Sequence, residues 1–378
     1  MKEKLLHFIW GQMRFEHSNL RLFDGRELII KSHGQFNSCE NGPDFIDARV
    51  IIDSIEWIGN IEIHVRASDW YKHKHQHDAN YNNVILHVVW ENDFDVKIFN
   101  EVIPVLELKN RVYTSILANY ESLQKQKNMI PCEKFIFSIE DVFKQQMIDN
   151  ALIKRLMRKS LSYDTDDIPQ SLYTQLARTV GGKSNQDSFE FIADKLPFSF
   201  VNHMKYQFRE LTFNTLKESI QNQKNTSIPV APMFRTKGMR PPGRHENRLK
   251  QFVQVIPIVN DFEQLIGMPA RELVYLFRRK IVQLDHTITF NTQNIILINV
   301  VVPYLFSLGK DEIQYRERAV EILHMLPAEK NAIVQKMLNL GFYVKNSYQS
   351  QAVLEIYSQF CLKKQCLHCT IGSKIINS

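Results

Sequence analysis

Glu62 and His64 stand two positions apart in WIGNIEIHVRASDW, so in an extended chain their side chains leave the same face. Upstream, Asp44 follows the Gly42-Pro43 corner of NGPDFIDARV. Downstream, His73, His75 and His77 alternate in WYKHKHQHD, with Asp78 next in line. Two carboxylates meeting at one point suit a hard divalent cation, because Mg²⁺ or Mn²⁺ takes a few carboxylate oxygens and keeps water positions for a substrate phosphate. Asp44 and Glu62 are therefore the expected metal-holding catalytic carboxylates, and His64 the group that orients water or stabilises charge on phosphorus. His73, His75, His77 and Asp78 form an auxiliary set; if the segment is extended, its three imidazoles share a face and offer donors for Zn²⁺ or Mn²⁺. The plain alternatives are a solvated strand face and a solvated basic loop.

A sheet must bring these groups together. Residues 26–31, 44–52, 55–65, 84–90 and 102–108 are rich in Val and Ile and are separated by Gly, Asn, Pro and Asp turn signals, which predicts about five strands. A hairpin through residues 53–56 would carry Asp44 toward His64, with Glu62 one pair further in. Residues 2–13 place Leu5, Leu6, Ile9, Trp10 and Met13 at helical spacing. His87, within VILHVVW, reads as a satisfied core histidine. From residue 139 onward the period becomes helical, with Phe143, Met147, Ile148, Leu152, Leu156 and Met157 on one stripe and Phe189, Ile192, Ala193 and Leu196 on another. The expected class is α+β: an N-terminal mixed sheet in residues 1–115, then a long all-α region in 116–378.

Pro43-Asp44 followed by Glu62-Ile63-His64 on a strand resembles the PD-(D/E)XK nuclease superfamily, whose motif is an acidic residue after a proline and then a strand bearing Glu-X-Lys. The resemblance implies a restriction-endonuclease-like sheet and metal-dependent cleavage of phosphodiesters. The sequence departs from the pattern twice: histidine replaces the lysine, and the connector 67–83 is short for a crossover helix. A literal Glu107-Leu108-Lys109 lacks a preceding Pro-Asp and reads as a solvated strand end.

Two further groups carry chemistry. Arg235, Lys237, Arg240, Arg244, Arg248 and Lys250 share a Pro- and Gly-rich stretch with Glu246 as the only acid, which suits phosphate binding through arginine forks. Lys154, Arg155, Arg158 and Lys159 make a second basic patch, for which a solubilising face is the plain alternative. Cys361, Cys366 and Cys369 have C-x4-C-x2-C spacing, and Cys132 or His368 offers a fourth ligand for structural Zn²⁺ or an iron–sulfur cluster. Free thiols are the alternative.

The 378 residues are 44% hydrophobic and 23% charged, which excludes a disordered chain and leaves room for a sizeable core. A net charge of +6 permits a nucleic-acid partner without demanding one. The apolar run 295–306 is interrupted by Asn299 and Pro303, so a buried helix is expected rather than a membrane span. The N-terminus lacks a signal-peptide pattern, and five cysteines suit a reducing compartment, so the cytoplasm is the expected location. The oligomeric state is not legible.

NGPDFIDARV, WIGNIEIHVRASDWYKHKHQHD, NNVILHVVW, MRPPGRHENRLKQF and CLKKQCLHCTIG together resemble an uncharacterised bacterial family, domain of unknown function 2851, found largely in Bacteroidetes. That resemblance implies no activity. The residues themselves support two readings: a divalent-metal-dependent nuclease acting on DNA or RNA, or a non-catalytic nucleic-acid-binding or assembly protein with a structural Zn²⁺ or iron–sulfur site.

Overall fold

The computed structural model describes residues 1–39, 41–163, 166–203, 234–235, 245–310 and 312–378. The fold is α+β, a curled mixed sheet followed by helices. The chain divides into two compact units: Met1–Lys144 together with Ser358–Ser378, and Gln145–Tyr357. The C-terminal cysteines thus belong with the sheet.

In the first unit, helix α1 (Glu3–Gly11) buries Leu5, Leu6, Ile9 and Trp10. Met13, expected on this helix, lies beyond it with a positive φ. The strands are β1 (Leu28–Ser32), β2 (Gln35–Phe36), β3 (Phe45–Ile52), β4 (Ile55–Arg66), β5 (Val84–Glu91), β6 (Lys97–Ile98), β7 (Glu101–Val102) and β8 (Val105–Glu107). The sheet order is β1-β3-β4-β5-β8, with β2 pairing beside β1 on β3. Neighbours up to β4 run antiparallel, whereas β4–β5 and β5–β8 are parallel. The β3–β4 turn places Asp53 and Ser54 at positive φ, the backbone that matches a tight hairpin to the strand twist. A bulge between Phe45 and Ala48, with Asp47 at φ 57°, slips the register by one residue.

The parallel step from β4 to β5 needs a crossover. The connector supplies it with one helical turn, α2 (Asp69–Lys72), and two 3₁₀ turns, His75–His77 and Ala79–Tyr81. Gly59 allows the two strands to start close together: a Cβ there would lie 2.5 Å from Ile85 Cγ2 and 2.6 Å from the Asn83 carbonyl oxygen. Glu107 of the literal Glu-Leu-Lys accepts from the Asn92 N–H at 2.8 Å, and Lys109 pairs with Glu91 at the surface, so this stretch is structural.

The second unit is helical. Its long segment Ile168–Lys195 breaks at Gly182, which has non-helical angles. Phe290–Leu308 is long and apolar enough to cross a membrane, but 67% of its window is buried inside this unit, as a core helix would be. A π-helical turn, Leu297–Val301, interrupts it and carries Asn299. The helix Asp141–Ser160 turns Arg155 and Lys159 of its basic patch inward and leaves Lys154 and Arg158 exposed. Arg158 makes a two-pronged contact with Glu355, while Arg155 donates to Gln351 at 2.5 Å and sits 3.5 Å from Glu355. Lys159 donates to Asn299 Oδ1 at 2.6 Å.

Burial, reinforced by Arg155 and Arg158, pushes the Lys159 ammonium down to about 7. Its folded pKa is then below its unfolded value, so unfolding takes up a proton between pH 7 and the ordinary lysine range. Burying the charged ammonium thus costs stability in full below about pH 7, and that cost is relieved as pH rises above it. Relative to Lys159→Met, wild type should gain on the order of 1 kcal/mol between pH 6.5 and 9, after allowing for solvent screening. Urea midpoints measured across that range check this; a constant difference would contradict it.

Candidate metal centre

The bulge decides where Asp44 falls. With the register slipped, Asp44 lies opposite Glu62 rather than beside His64: its N–H donates to Glu62 Oε2 at 3.1 Å, and its Oδ2 accepts the Ile63 N–H at 3.0 Å. Glu62 and His64 do share a face of β4, and that face is buried, leaving 5% and 1% of the two residues exposed. In the parallel register Glu62 sits beside His87 of β5.

The auxiliary loop is coiled, not extended, because α2 and the 3₁₀ turns that bridge β4 to β5 occupy it. Lys74 adopts a left-handed backbone between them. The coil turns His73 and His75 onto His64. The ligand nitrogens of His64, His73 and His75 all lie within 4.8 Å of one another. His64 Nε2 is 3.0 Å from His73 Nδ1, while Glu62 Oε1 is 3.2 Å from His75 Nε2 and 3.6 Å from His64 Nε2. His77 is exposed and stands outside this trio, and Asp78 is used to cap the next turn through the Asn80 N–H.

Three groups that the sequence did not assign complete the site. His7 of α1 brings Nε2 to 3.1 Å from Asp44 Oδ2. His87 is wholly buried, as expected of a core histidine, and places Nε2 2.9 Å from His64 Nδ1. Trp70 is fully buried and presents its ring edge-on to His64, His75, His87 and Tyr81, and Tyr81 stacks on His75 at 3.8 Å. The signal for His7 is faint: it is one polar position on a helix whose neighbours all read as core.

Electrostatics favour neutral imidazoles here. Burial, then the neighbouring histidines, pushes His64 down to about 2, and burial pushes His87 down to about 3. Burial also lowers His75, against the pull of nearby carboxylates. Burial, reinforced by Asp44, raises Glu62 to about 9. His7 differs: burial pushes it down, but the Asp44 carboxylate, helped by Glu3 and Glu62, raises it overall.

Neutral imidazoles with a free lone pair are metal ligands. Among the described residues, the buried nitrogens His75 Nε2, His7 Nε2 and His87 Nδ1 have no hydrogen-bond partner. For His75 and His7 the carboxylate is near enough, but the direction of the ring nitrogen does not suit a hydrogen bond. The ligand nitrogens of His64, His73 and His75, within 4.8 Å of one another beside the Glu62 carboxyl, fit a cation held by those four residues. His87 would fix the tautomer of His64 as an outer partner.

The remaining expected site residues lie elsewhere. Lys237, Arg240 and Arg244 fall outside the described residues, as does most of the helix expected over 200–221. Arg235 is held through its backbone, its N–H donating to Asn185 Oδ1 at 2.7 Å. Arg248 spends its guanidinium on the Val180 carbonyl at 2.7 Å, where the preceding helix ends at Gly182. Lys250 is exposed. Cys132, Cys361, Cys366 and Cys369 form no disulfide.

No curated protein and no solved structure matches this chain. The family described as "Protein of unknown function (DUF2851)" matches residues 3–217, a span that contains every histidine and carboxylate of the centre. That span is more than half of the 378 residues, and the chain belongs to the DUF2851 family.

Proposed function

We propose that this protein is a transition-metal-dependent nuclease, hydrolysing phosphodiesters at the His64, His73, His75 and Glu62 cluster. The observation that carries the reading is the convergence of three imidazole nitrogens within 4.8 Å beside the Glu62 carboxylate. Such a donor set suits Mn²⁺ or Zn²⁺ better than Mg²⁺, which prefers oxygen ligands. A bound metal would lower the pKa of its water and polarise a phosphoryl oxygen. Asp44, which accepts the Ile63 N–H and has His7 beside it, would take the proton from the attacking water.

Phosphodiesters are favoured by the acid after Pro43, by Glu62-Ile63-His64 on the paired strand, and by the order of helix, antiparallel strands, connector and parallel strand. PD-(D/E)XK nucleases share this arrangement; here an imidazole takes the lysine's place. The stretch 235–250 keeps the composition for a nucleic-acid backbone, with Arg248 already committed to the protein.

The burial of Glu62 and His64 favours a second reading, a structural metal centre in a non-catalytic nucleic-acid-binding or assembly protein, since closed sites are the structural ones. Exposed His73 and half-buried Asp44 leave an open side and favour the enzyme. To decide, the full chain is incubated with single- and double-stranded DNA and RNA in Mn²⁺, Zn²⁺, Mg²⁺ or chelator, beside Asp44→Asn. Cleavage that needs Mn²⁺ or Zn²⁺ and is lost in the variant is expected. Stoichiometric metal without cleavage would establish the structural reading. Metal content unchanged by His73→Ala would refute both.

A further inference from the structure

On the helix Asp141–Ser160, Arg158 and Lys159 follow Arg155 by three and four positions, so the three side chains leave one face. Like charges at that spacing repel, and a solubilising face would spread them into water. Here they converge. Lys159 Nζ and Arg155 Nη2 both donate to Asn299 Oδ1, at 2.6 and 3.4 Å, while Arg155 Nη1 and Arg158 Nη2 both approach Glu355 Oε2, at 3.5 and 2.6 Å. Arg155 thus stands between the other two cations, sharing one acceptor atom with each.

Carboxylates do not match these charges. Glu355 is buried and serves both arginines. Glu329 is reached through Gln351, which accepts from Arg155 at 2.5 Å and donates to Glu329 at 2.6 Å. Arg178, whose charge also bears on Lys159, is already paired with Glu190. Among the described residues Lys159 meets a neutral amide and no carboxylate. A cation withdrawn from water calls for a counter-ion. Burial, then Arg155 and Arg158, hold the Lys159 pKa down, as expected of a cation that lacks one.

The acceptors around the cations are held in place. Asn299 sits in the π-helical turn Leu297–Val301, and its Nδ2 donates to the Ile295 carbonyl at 2.9 Å, which turns Oδ1 to Lys159 and Arg155. Glu355 ends the helix Ser347–Glu355 where the chain enters a second π-helical turn, Ile356–Cys361. Such turns gather at functional sites. Lys159 spends one of its three ammonium protons on Asn299. Arg158, with 48% of its side chain exposed, commits Nε and Nη2 to Glu355 and keeps Nη1 for an incoming oxygen.

We propose that Arg155, Arg158 and Lys159 form an anion site that binds a phosphate group from the exposed side of Arg158. Phosphate has oxygens enough to accept from guanidinium and ammonium together, and its charge answers the one that Glu355 leaves unmatched. The group is inorganic phosphate or the terminal phosphate of a phosphomonoester. The site does not depend on the histidine centre.

The full chain, stripped of metal by chelator and exchanged into chelator-free buffer, is titrated calorimetrically at constant ionic strength with inorganic phosphate and with adenosine monophosphate. Arg158→Gln, Lys159→Met and Lys154→Gln are titrated beside it. Saturable binding at one site per chain is expected, weakened at least about tenfold by Arg158→Gln and by Lys159→Met. Lys154→Gln, an exposed change on the same helix, should bind like wild type. The tighter of the two ligands names the source of the phosphate group. Should Lys159→Met fail to fold, Arg158→Gln, changed at the surface, decides the matter. Wild type without saturable binding, or binding undiminished by Arg158→Gln, would overturn the proposal.

Discussion

Glu62→Gln should lower metal-dependent phosphodiester cleavage by on the order of 10³ in kcat/KM, while the metal-free chain unfolds within a few degrees of wild type. The amide keeps the shape of the carboxylate and an oxygen that can still accept the Asp44 N–H. It cannot supply the negative charge that a cation between His75 and His64 requires, 3.2 and 3.6 Å from the present Oε1. The loss should also appear in binding: calorimetric titration with Mn²⁺ should give an affinity weaker by about 10- to 100-fold. The rise in thermal midpoint that metal gives wild type should shrink accordingly. Equal cleavage rates in the two proteins would remove Glu62 from the mechanism.

Trp70→Ala should cost about 3–5 kcal/mol of unfolding free energy, read as a drop in the urea midpoint. The ring is fully buried in a cluster with Ala67, Tyr81, Val84, Val89, Val96, Ile103 and Val105, and removing it leaves a cavity that the rigid parallel strands cannot close. The same ring forms the wall against which His64, His75 and His87 are set, at centroid distances of 6.5, 5.3 and 5.5 Å. Metal affinity should therefore fall although Trp70 offers no ligand. Trp70→Phe should restore more than half of both losses. If the alanine variant unfolds like wild type, the connector is not held by this packing.

Most of the sheet was legible because each strand carries its own local signature. The run of residues 55–65 became β4 (Ile55–Arg66), and Asp53-Ser54 made the turn between the expected hairpin partners. The pairing of two carboxylates followed as far as alternation can take it. What alternation cannot show is the bulge at Asp47, which moves Asp44 from one partner to the next and depends on a left-handed residue with no glycine to announce it.

The histidine loop failed as a geometric expectation for a related reason. A polar run that alternates His with Lys and Gln reads as extended, yet the need to cross from β4 to a parallel β5 forces it to coil. Coiling then selects His73 and His75 and discards His77. His7 was missed because it sits in an otherwise apolar pattern, where a single polar residue is outvoted by its neighbours; His87 was legible as a core histidine, but not its contact with His64. The inward turn of Arg155 and Lys159 was missed because Glu355 and Asn299, which draw them in, lie far away in sequence.

The return of Ser358–Ser378 to the sheet unit makes that unit discontinuous, with an entire helical unit inserted in its middle. During synthesis the strands and helix α3 (Thr114–Lys125) emerge before the partners of Asn119 and Gln124, which lie on Ser358–Ser378. The first unit therefore cannot finish folding before the insertion has been made; it must wait, part-formed, while the insertion emerges. The chain's order of appearance and its order of completion are reversed, so a fragment stopped at Lys144 is an interrupted protein rather than a minimal one.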